Sequence, residues 1–367
     1  MSAPPSSPRR VRVGLVGCGN VSRQYLENLA DSEDLEFWAC ADAYPPQAEA
    51  LARRFSIPRV LTVAELIRHP EVELVLNLTT PASHSSISAA AIEAGKHVYT
   101  EKPLATDVSD ARGLLAAAAA RGVRVGCAPD TFLGPGLRRC VELIEDGAIG
   151  TPVSANAFLM TPGPEAFHPA PEFLYQEGSG PLFDGGPYYV SALVSLLGPV
   201  ASVIGMSTRA HERRQILTGE RTGSSFPVQT STHVASLLRF ARGAVATLVT
   251  SFDVPATRTP RLEIHGTTGS LICPAPNSWG GPAWVRTAGS TEFVEVPIDG
   301  GDGNRIGLGV AQMARALRRG EGPAASGERG LEILEIIAAI HDSAENRGTV
   351  IRLADRVGER TDHRAAS

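Results

Sequence analysis

Three groups of residues have types and spacing that suit chemistry. The first is Gly17-Cys18-Gly19-Asn20-Val21-Ser22, which follows the β-rich run Val11–Val16 and opens a helical pattern. A strand that turns through two glycines into a helix gathers backbone N–H groups and the positive end of the helix dipole at one point. That is a cradle for a pyrophosphate, with Gly17 allowing the tight turn and Gly19 the close approach. Asn20 and Val21 begin the helix, and Ser22 stands where a third glycine is common; a small residue there meets the packing need. An ordinary βα turn shows the same pattern, so the next strand carries weight. It runs Leu35–Ala41 and ends at Asp42, about 20 residues on, where a carboxylate accepts hydrogen bonds from an adenosine ribose. Neither Ala43 nor Tyr44 offers positive charge for a 2′-phosphate, which points to NAD rather than NADP.

The second group is the lysines. Lys and Arg number 34, yet only Lys96 and Lys102 are lysine. Lysine differs from arginine in carrying a compact charge that can change protonation. Lys96 follows Gly95 at a helix end, where a cation suits the dipole, and reads as structural. Lys102 stands between Glu101 and Pro103 beyond the short strand His97–Thr100. The third group is scattered: Thr79, His84, Asp130, His168, Asp184, Tyr188 and Arg305 are polar residues in loops or at helix ends. Asp130 follows the last strand of the first half and His168 lies in a Pro-rich loop; each fits a substrate contact. Asp184 equally fits an N-cap for a helix over Gly186–Leu197. Arg305 precedes a helix starting near Ile306, where it could meet an anionic group or simply lie on the surface.

The elements that must position these groups fall into two patterns. At 367 residues the chain holds roughly two domains of about 150 residues each. Up to residue 128, strands (Val11–Val16, Leu35–Ala41, Glu73–Leu78, His97–Thr100, Val123–Cys127) alternate with helices, which indicates βαβ units and a parallel sheet. Beyond about residue 150, Thr151–Met160, Val200–Arg209, Thr232–Phe240, Ala244–Phe252, Arg261–His265 and Thr291–Val296 read as strands of a large, mostly antiparallel sheet, interrupted by the Gly186–Leu197 helix. Helices over Ile306–Arg319 and Glu328–Asn346 follow. The fold class is α/β followed by α+β: a tail over 1–10, a dinucleotide-binding domain over 11–128 and a substrate domain over 129–367.

Composition removes several alternatives. The net charge of −5 argues against a generic nucleic-acid binder, and 43% hydrophobic residues suffice for a core. Met1–Arg10 is Ser/Pro-rich without an apolar core, so it reads as a tail rather than a signal peptide. No run reaches the ~18 apolar residues of a membrane helix. Five cysteines, an odd number without a CxxC pair, suggest neither a disulfide framework nor a zinc site, and fit the cytoplasm. No metal site is expected.

Ala94-Gly95-Lys96-His97-Val98-Tyr99-Thr100-Glu101-Lys102-Pro103-Leu104-Ala105 resembles the AGKHVxxEKPLA signature of the Gfo/Idh/MocA family of NAD(P)-dependent oxidoreductases. Thr79-Thr80-Pro81-Ala82-Ser83-His84 is similar to its TPxxxH segment, with Thr80 where Pro is usual. Gly178-Ser179-Gly180-Pro181-Leu182-Phe183-Asp184-Gly185-Gly186-Pro187-Tyr188 is similar to its GGGxLxDxGxH motif. The resemblance covers nearly the whole chain. It implies a Rossmann domain followed by a domain built on a large sheet, with the nicotinamide between them and dimers or tetramers formed through that sheet. It implies that Lys102 meets the substrate hydroxyl and the nicotinamide ribose, that Pro103 carries a cis peptide, that Thr79, His84 and Glu101 lie on the nucleotide side, and that Asp184 serves the substrate or a proton relay. The sequence departs from the family at Tyr188, where histidine is usual. Phenol titrates near 10 and imidazole near 6.5, so Tyr188 needs nearby positive charge to act as a base; otherwise it only hydrogen-bonds the substrate.

Three functions follow from the resemblance. The first is an NAD-dependent dehydrogenase acting on a ring hydroxyl carbon of a sugar, polyol or sugar derivative. The second is an NAD-dependent glycoside hydrolase that oxidises transiently, eliminates the aglycone, adds water and returns the hydride. The third, a non-catalytic NAD-binding regulator, is disfavoured by the retained Lys102 and Asp184.

Overall fold

The computed structural model describes residues 9–301 and 303–353. Most of the expected tail and the end of the expected second domain lie outside them. The described residues form two compact units: 9–133 with 304–334, and 134–301 and 303 with 335–353.

The first unit is built on five strands, β1 (Val11–Val16), β2 (Leu35–Ala41), β3 (Leu74–Asn77), β4 (His97–Thr100) and β5 (Val125–Cys127), all parallel in the order β2-β1-β3-β4-β5. They are buried on both faces, as expected where helices cover a parallel sheet. The helices are α1 (Asn20–Leu29), α2 (Pro45–Phe55), α3 (Val63–Arg68), α4 (Pro81–Glu93) and α5 (Val108–Arg121). Local chemistry sets their ends. Asp107 accepts the Ser109 and Asp110 N–H groups at the start of α5, and Gly122, at φ 66°, closes it. Thr62 and Glu65 form a capping box on α3, a helix too short for its periodicity to be read in sequence.

The stretch expected as the second domain divides. A helix over Leu308–Arg318 packs with the first unit, where Val310 and Met313 join Leu15, Tyr25 and Tyr99 in one core. Arg315 and Arg318 both pair with Asp34. Apolar patterning marks such a helix but not the sheet it will cover.

The second unit carries a nine-stranded mixed sheet. Its strands are β6 (Pro152–Met160), β7 (Val200–Thr208), β10 (His233–Phe240), β11 (Val245–Ser251), β12 (Leu262–Gly266), β13 (Ser270–Cys273), β14 (Ala283–Arg286), β15 (Val294–Val296) and β16 (Ile351–Arg352); β8 (Arg213–Gln215) and β9 (Ser225–Pro227) form a separate hairpin. The order is β15-β14-β13-β12-β6-β11-β10-β7-β16, and β6 with β11 is its parallel pair. Helices Pro181–Asp184 and Gly186–Leu197 pack on β6, β10 and β11. On β10, Val234, Ser236, Leu238 and Phe240 are buried, whereas Leu237 on the opposite face is 47% exposed. Met206 of β7 is likewise 69% exposed. β13, β14 and the hairpin are short strands, and the sequence reading passed over them.

Candidate active site

The strand order reverses between β2-β1 and β3-β4, so the carboxyl ends of β1 and β3 diverge into a crevice where ligands of such sheets bind. The loop after β1 enters it. Gly17 has φ +96°, and a Cβ there would sit 2.5 Å from the Leu78 carbonyl oxygen and 2.7 Å from the Thr79 nitrogen. Glycine is therefore required by both conformation and space. At Gly19 a Cβ would meet nothing within 4 Å, so the space above the turn is open. Gly19 is the N-cap of α1, with no side-chain cap and no acidic residue in the first turn. The N–H groups and dipole of that turn remain available to an anion. Ser22 is fully buried and its hydroxyl donates to the Gly19 carbonyl at 2.6 Å, which ties the turn to the helix.

Asp42 is fixed at the end of β2. Its Oδ2 accepts the Cys18 N–H at 2.7 Å and its Oδ1 the Tyr44 N–H at 2.8 Å. The carboxylate thus bridges the glycine turn and the start of α2. A cleft of about 510 Å³ lies alongside, lined by Gly19, Asn20, Arg23, Tyr44, Gln47 and Arg54, a size suited to a small-molecule ligand. An open glycine cradle, an uncapped helix end and a fixed carboxylate beside a cleft fit a dinucleotide. Arg23 and Arg54 were not singled out in the sequence, because isolated arginines in helices carry no local signal.

Glu101-Lys102-Pro103 continues from β4 at the same edge of the sheet. The Lys102–Pro103 peptide is cis, as is Ala128–Pro129. Glu101 Oε2 accepts the Lys102 N–H at 3.0 Å, and Glu101 Oε1 accepts the Tyr25 hydroxyl at 2.8 Å. His84 is buried; its Nδ1 lies 2.7 Å from the Pro103 carbonyl oxygen and its Nε2 3.1 Å from that of Thr79. Thr79 and His84 are joined further through Asn77, whose Oδ1 accepts the Thr79 hydroxyl and whose Nδ2 donates to the His84 carbonyl. The backbone on both sides of Lys102 is therefore held, by Glu101 before it and by His84 after it.

The family models decide the identity: residues 11–128 match the oxidoreductase family model with an NAD-binding Rossmann fold, and residues 137–272 match the Gfo/Idh/MocA C-terminal domain. The chain belongs to the Gfo/Idh/MocA family of oxidoreductases. Its cofactor is NAD. It is 27% identical over 351 residues to dTDP-3,4-didehydro-2,6-dideoxy-alpha-D-glucose 3-reductase of Saccharopolyspora spinosa, covering 92% of this chain and 97% of that one. It is 25% identical to D-apiose dehydrogenase of Paraburkholderia graminis, covering 95% and 92%. A solved structure of levoglucosan dehydrogenase in complex with NADH and levoglucosan shares the fold, with TM-score 0.81, 23% identity and coverage of 94% and 99%.

The Gfo/Idh/MocA motif of the second unit lies across two helices. Asp184 ends the short helix Pro181–Asp184 and is half-buried. The N-cap of Gly186–Leu197 is Gly185, which makes no side-chain cap bond, so Asp184 stands one residue ahead of the N-cap. Tyr188 is half-buried on its first turn, and Tyr189 beside it is fully buried.

Other polar residues have internal duties. Asp130, only 2% exposed, accepts the Gly309 N–H at 2.8 Å and caps the Leu308–Arg318 helix. His168 Nδ1 accepts the Ala170 N–H, and its ring stands edge-on to Phe173, which stabilises its own loop. Arg305 lines a groove with Asn28, Asp31 and Asp34 at the end of α1 and the approach to β2, away from the carboxyl ends of the strands. Beside it, Asn304 Oδ1 accepts the Ile306 N–H ahead of the N-cap Gly307. Lys96 is structural, though not through its helix end. Its ammonium donates to the carbonyls of His69 and Val72, both at 2.7 Å, and burial lowers its pKa.

Proposed function

We propose that this chain is an NAD-dependent dehydrogenase acting on a hydroxyl-bearing carbon of a sugar, polyol or sugar derivative. The observation that carries the reading is the two-sided anchoring of Lys102 at the carboxyl edge of a dinucleotide-binding sheet. The activities named for the full-length relatives, a deoxysugar reductase and an apiose dehydrogenase, support the substrate class.

Gly17, Gly19, Asn20 and Val21 are assigned to the pyrophosphate, Asp42 to the adenosine ribose, and Thr79, His84 and Glu101 to shaping the nicotinamide side. NAD, when bound, supplies the hydride acceptor. Lys102 donates a hydrogen bond to the substrate oxygen, stabilising the charge that develops as the carbonyl forms. Tyr188 or Asp184 takes the proton released from the hydroxyl. Asp130 and His168 hold the Gly309 and Ala170 N–H groups and Arg305 lines a groove away from the carboxyl ends of the strands, so the reading rests on Lys102, Tyr188 and Asp184 instead.

The test gives purified protein and NAD a panel of free sugars and polyols, with aryl glycosides alongside. NADH accumulation with a free sugar or polyol supports the reading. Aglycone release without net NADH would establish redox-neutral hydrolysis in its place. Lys102→Ala should abolish turnover while NAD still binds, and Tyr188→Phe should lower kcat and alter its pH profile.

The partly apolar open face of the nine-stranded sheet, with Leu237 and Met206 exposed, supports assembly with a second copy of this chain. Sedimentation at the mass of one chain would remove that reading. A reducing compartment such as the cytoplasm suits five free, buried cysteines. Among the described residues no helix is long and apolar enough to cross a membrane.

A further inference from the structure

Tyr25 lies on the second turn of α1, the helix whose first turn forms the phosphate cradle. Its side chain is fully buried among Leu15, Leu26, Leu29, Tyr99 and Met313. A tyrosine in such a core needs a partner for its hydroxyl. That partner is a carboxylate just beyond β4, 76 residues further along the chain: the hydroxyl donates to Glu101 Oε1 at 2.8 Å. The other oxygen of the same carboxylate takes the Lys102 amide at 3.0 Å. We propose that Tyr25 is a positioning residue for Lys102, acting through Glu101.

A glutamate that folds back on the next residue's amide closes a small local ring, which is weak when nothing holds the side chain. The loss of rotamer freedom opposes it. A charge-assisted hydrogen bond from a rigid phenol removes that freedom. Tyr25 suits the task because it stays a donor: burial first, and the Glu101 carboxylate next, raise its pKa well above the usual phenol value. The ring belongs to the core; the hydroxyl is assigned to function. The consequence is that one helix, α1, presents the phosphate-binding turn and also sets the backbone of the lysine proposed to hold the substrate oxygen. The inference rests on the reading of Lys102 given above.

The chain's composition provides a direct probe. Lysine occurs twice, so full-length protein labelled with [15N]lysine shows two lysine amide signals. The Lys96 amide donates to the Ala91 carbonyl at 2.9 Å and serves as an internal reference. In Tyr25→Phe, which keeps the ring, the Lys102 signal should shift and its amide should exchange with solvent about ten-fold faster or more, while Lys96 stays unchanged. With the free sugar or polyol that the wild type oxidises best, kcat should fall about ten-fold or more, the scale expected for small misplacement of a reacting group. The Kd for NAD should stay within about two-fold. Tyr25→Phe combined with Glu101→Ala should lose no more activity than Glu101→Ala alone.

An unchanged Lys102 amide together with wild-type kcat in Tyr25→Phe overturns the inference. So does full additivity of the two substitutions, which would reduce Tyr25 to packing. If Tyr25→Phe does not fold, Glu101→Ala must still accelerate Lys102 amide exchange; no acceleration is equally fatal. Native turnover in Lys102→Ala would sink the role of Lys102 instead, and the amide signals would still decide whether Tyr25 holds its backbone.

Discussion

The Asp42 carboxylate accepts the backbone N–H of Cys18 at 2.7 Å, so the end of β2 clasps the glycine turn that leaves β1. Its second oxygen holds the Tyr44 N–H. The residue assigned to the ribose is thus also the residue that shapes the phosphate loop. Asp42→Ala removes both functions. It should weaken NAD binding by roughly 10- to 100-fold, the loss of a charged hydrogen-bonding group worth about 1.5–3 kcal/mol. Calorimetric titration of NAD checks it, and an unchanged affinity would contradict the assignment.

A pH effect is expected on stability. Burial first, and the nearby Arg124 cation second, lower the pKa of His97, with Glu73 acting in the opposite direction. The geometry agrees, because His97 Nδ1 accepts the Arg124 N–H at 3.0 Å and cannot do so once protonated. With the folded value below the unfolded one near 6.5, the unfolded chain binds more protons in between. The contribution is complete above that value and is lost as the pH falls below it. Thermal unfolding from pH 7 to pH 5 should show Tm dropping more steeply in the wild type than in His97→Gln. Equal slopes would refute the contribution.

The second unit contains a buried ionic knot. Arg214 pairs with both Glu165 and Asp253 and donates to the carbonyls of Pro162 at 3.0 Å and Phe252 at 2.8 Å. Tyr175 donates to Glu165, and Thr232 donates to Asp253 at 2.5 Å. The knot fastens the loop that carries His168 to the end of β11. Arg214→Met leaves two buried carboxylates without their cation and should cost about 3–5 kcal/mol. Adding Glu165→Gln and Asp253→Asn should recover part of that loss. Denaturant midpoints measure both; a cost below about 1 kcal/mol would show that the knot is not needed.

The sequence by itself determined whatever is encoded locally. Gly17, Gly19 and Asp42 were legible because a phosphate turn and the strand after it lie within one βαβ unit. The place of Lys102 after a short strand and before a cis proline was legible because the flanking motif is contiguous. The alternation of strands and helices announced the parallel sheet, since apolar periodicity reflects which faces a chain must bury.

Tertiary structure decided the rest through contacts between distant residues. Asp130 follows a strand just as a substrate residue does, and only the approach of Gly309, 179 positions later, makes it a helix cap. Residues 304–334 return to the first unit because their helix completes its core, a destination that a helical pattern cannot state. The motif puts His84 on the nucleotide side, but only tertiary structure brings the Thr79 and Pro103 carbonyls against its two nitrogens. Tyr25 carries no signal in the sequence; its hydroxyl acquires a partner only because α1 packs beside the end of β4. In each case the residue type was visible, and what remained open was which buried polar group it would have to satisfy.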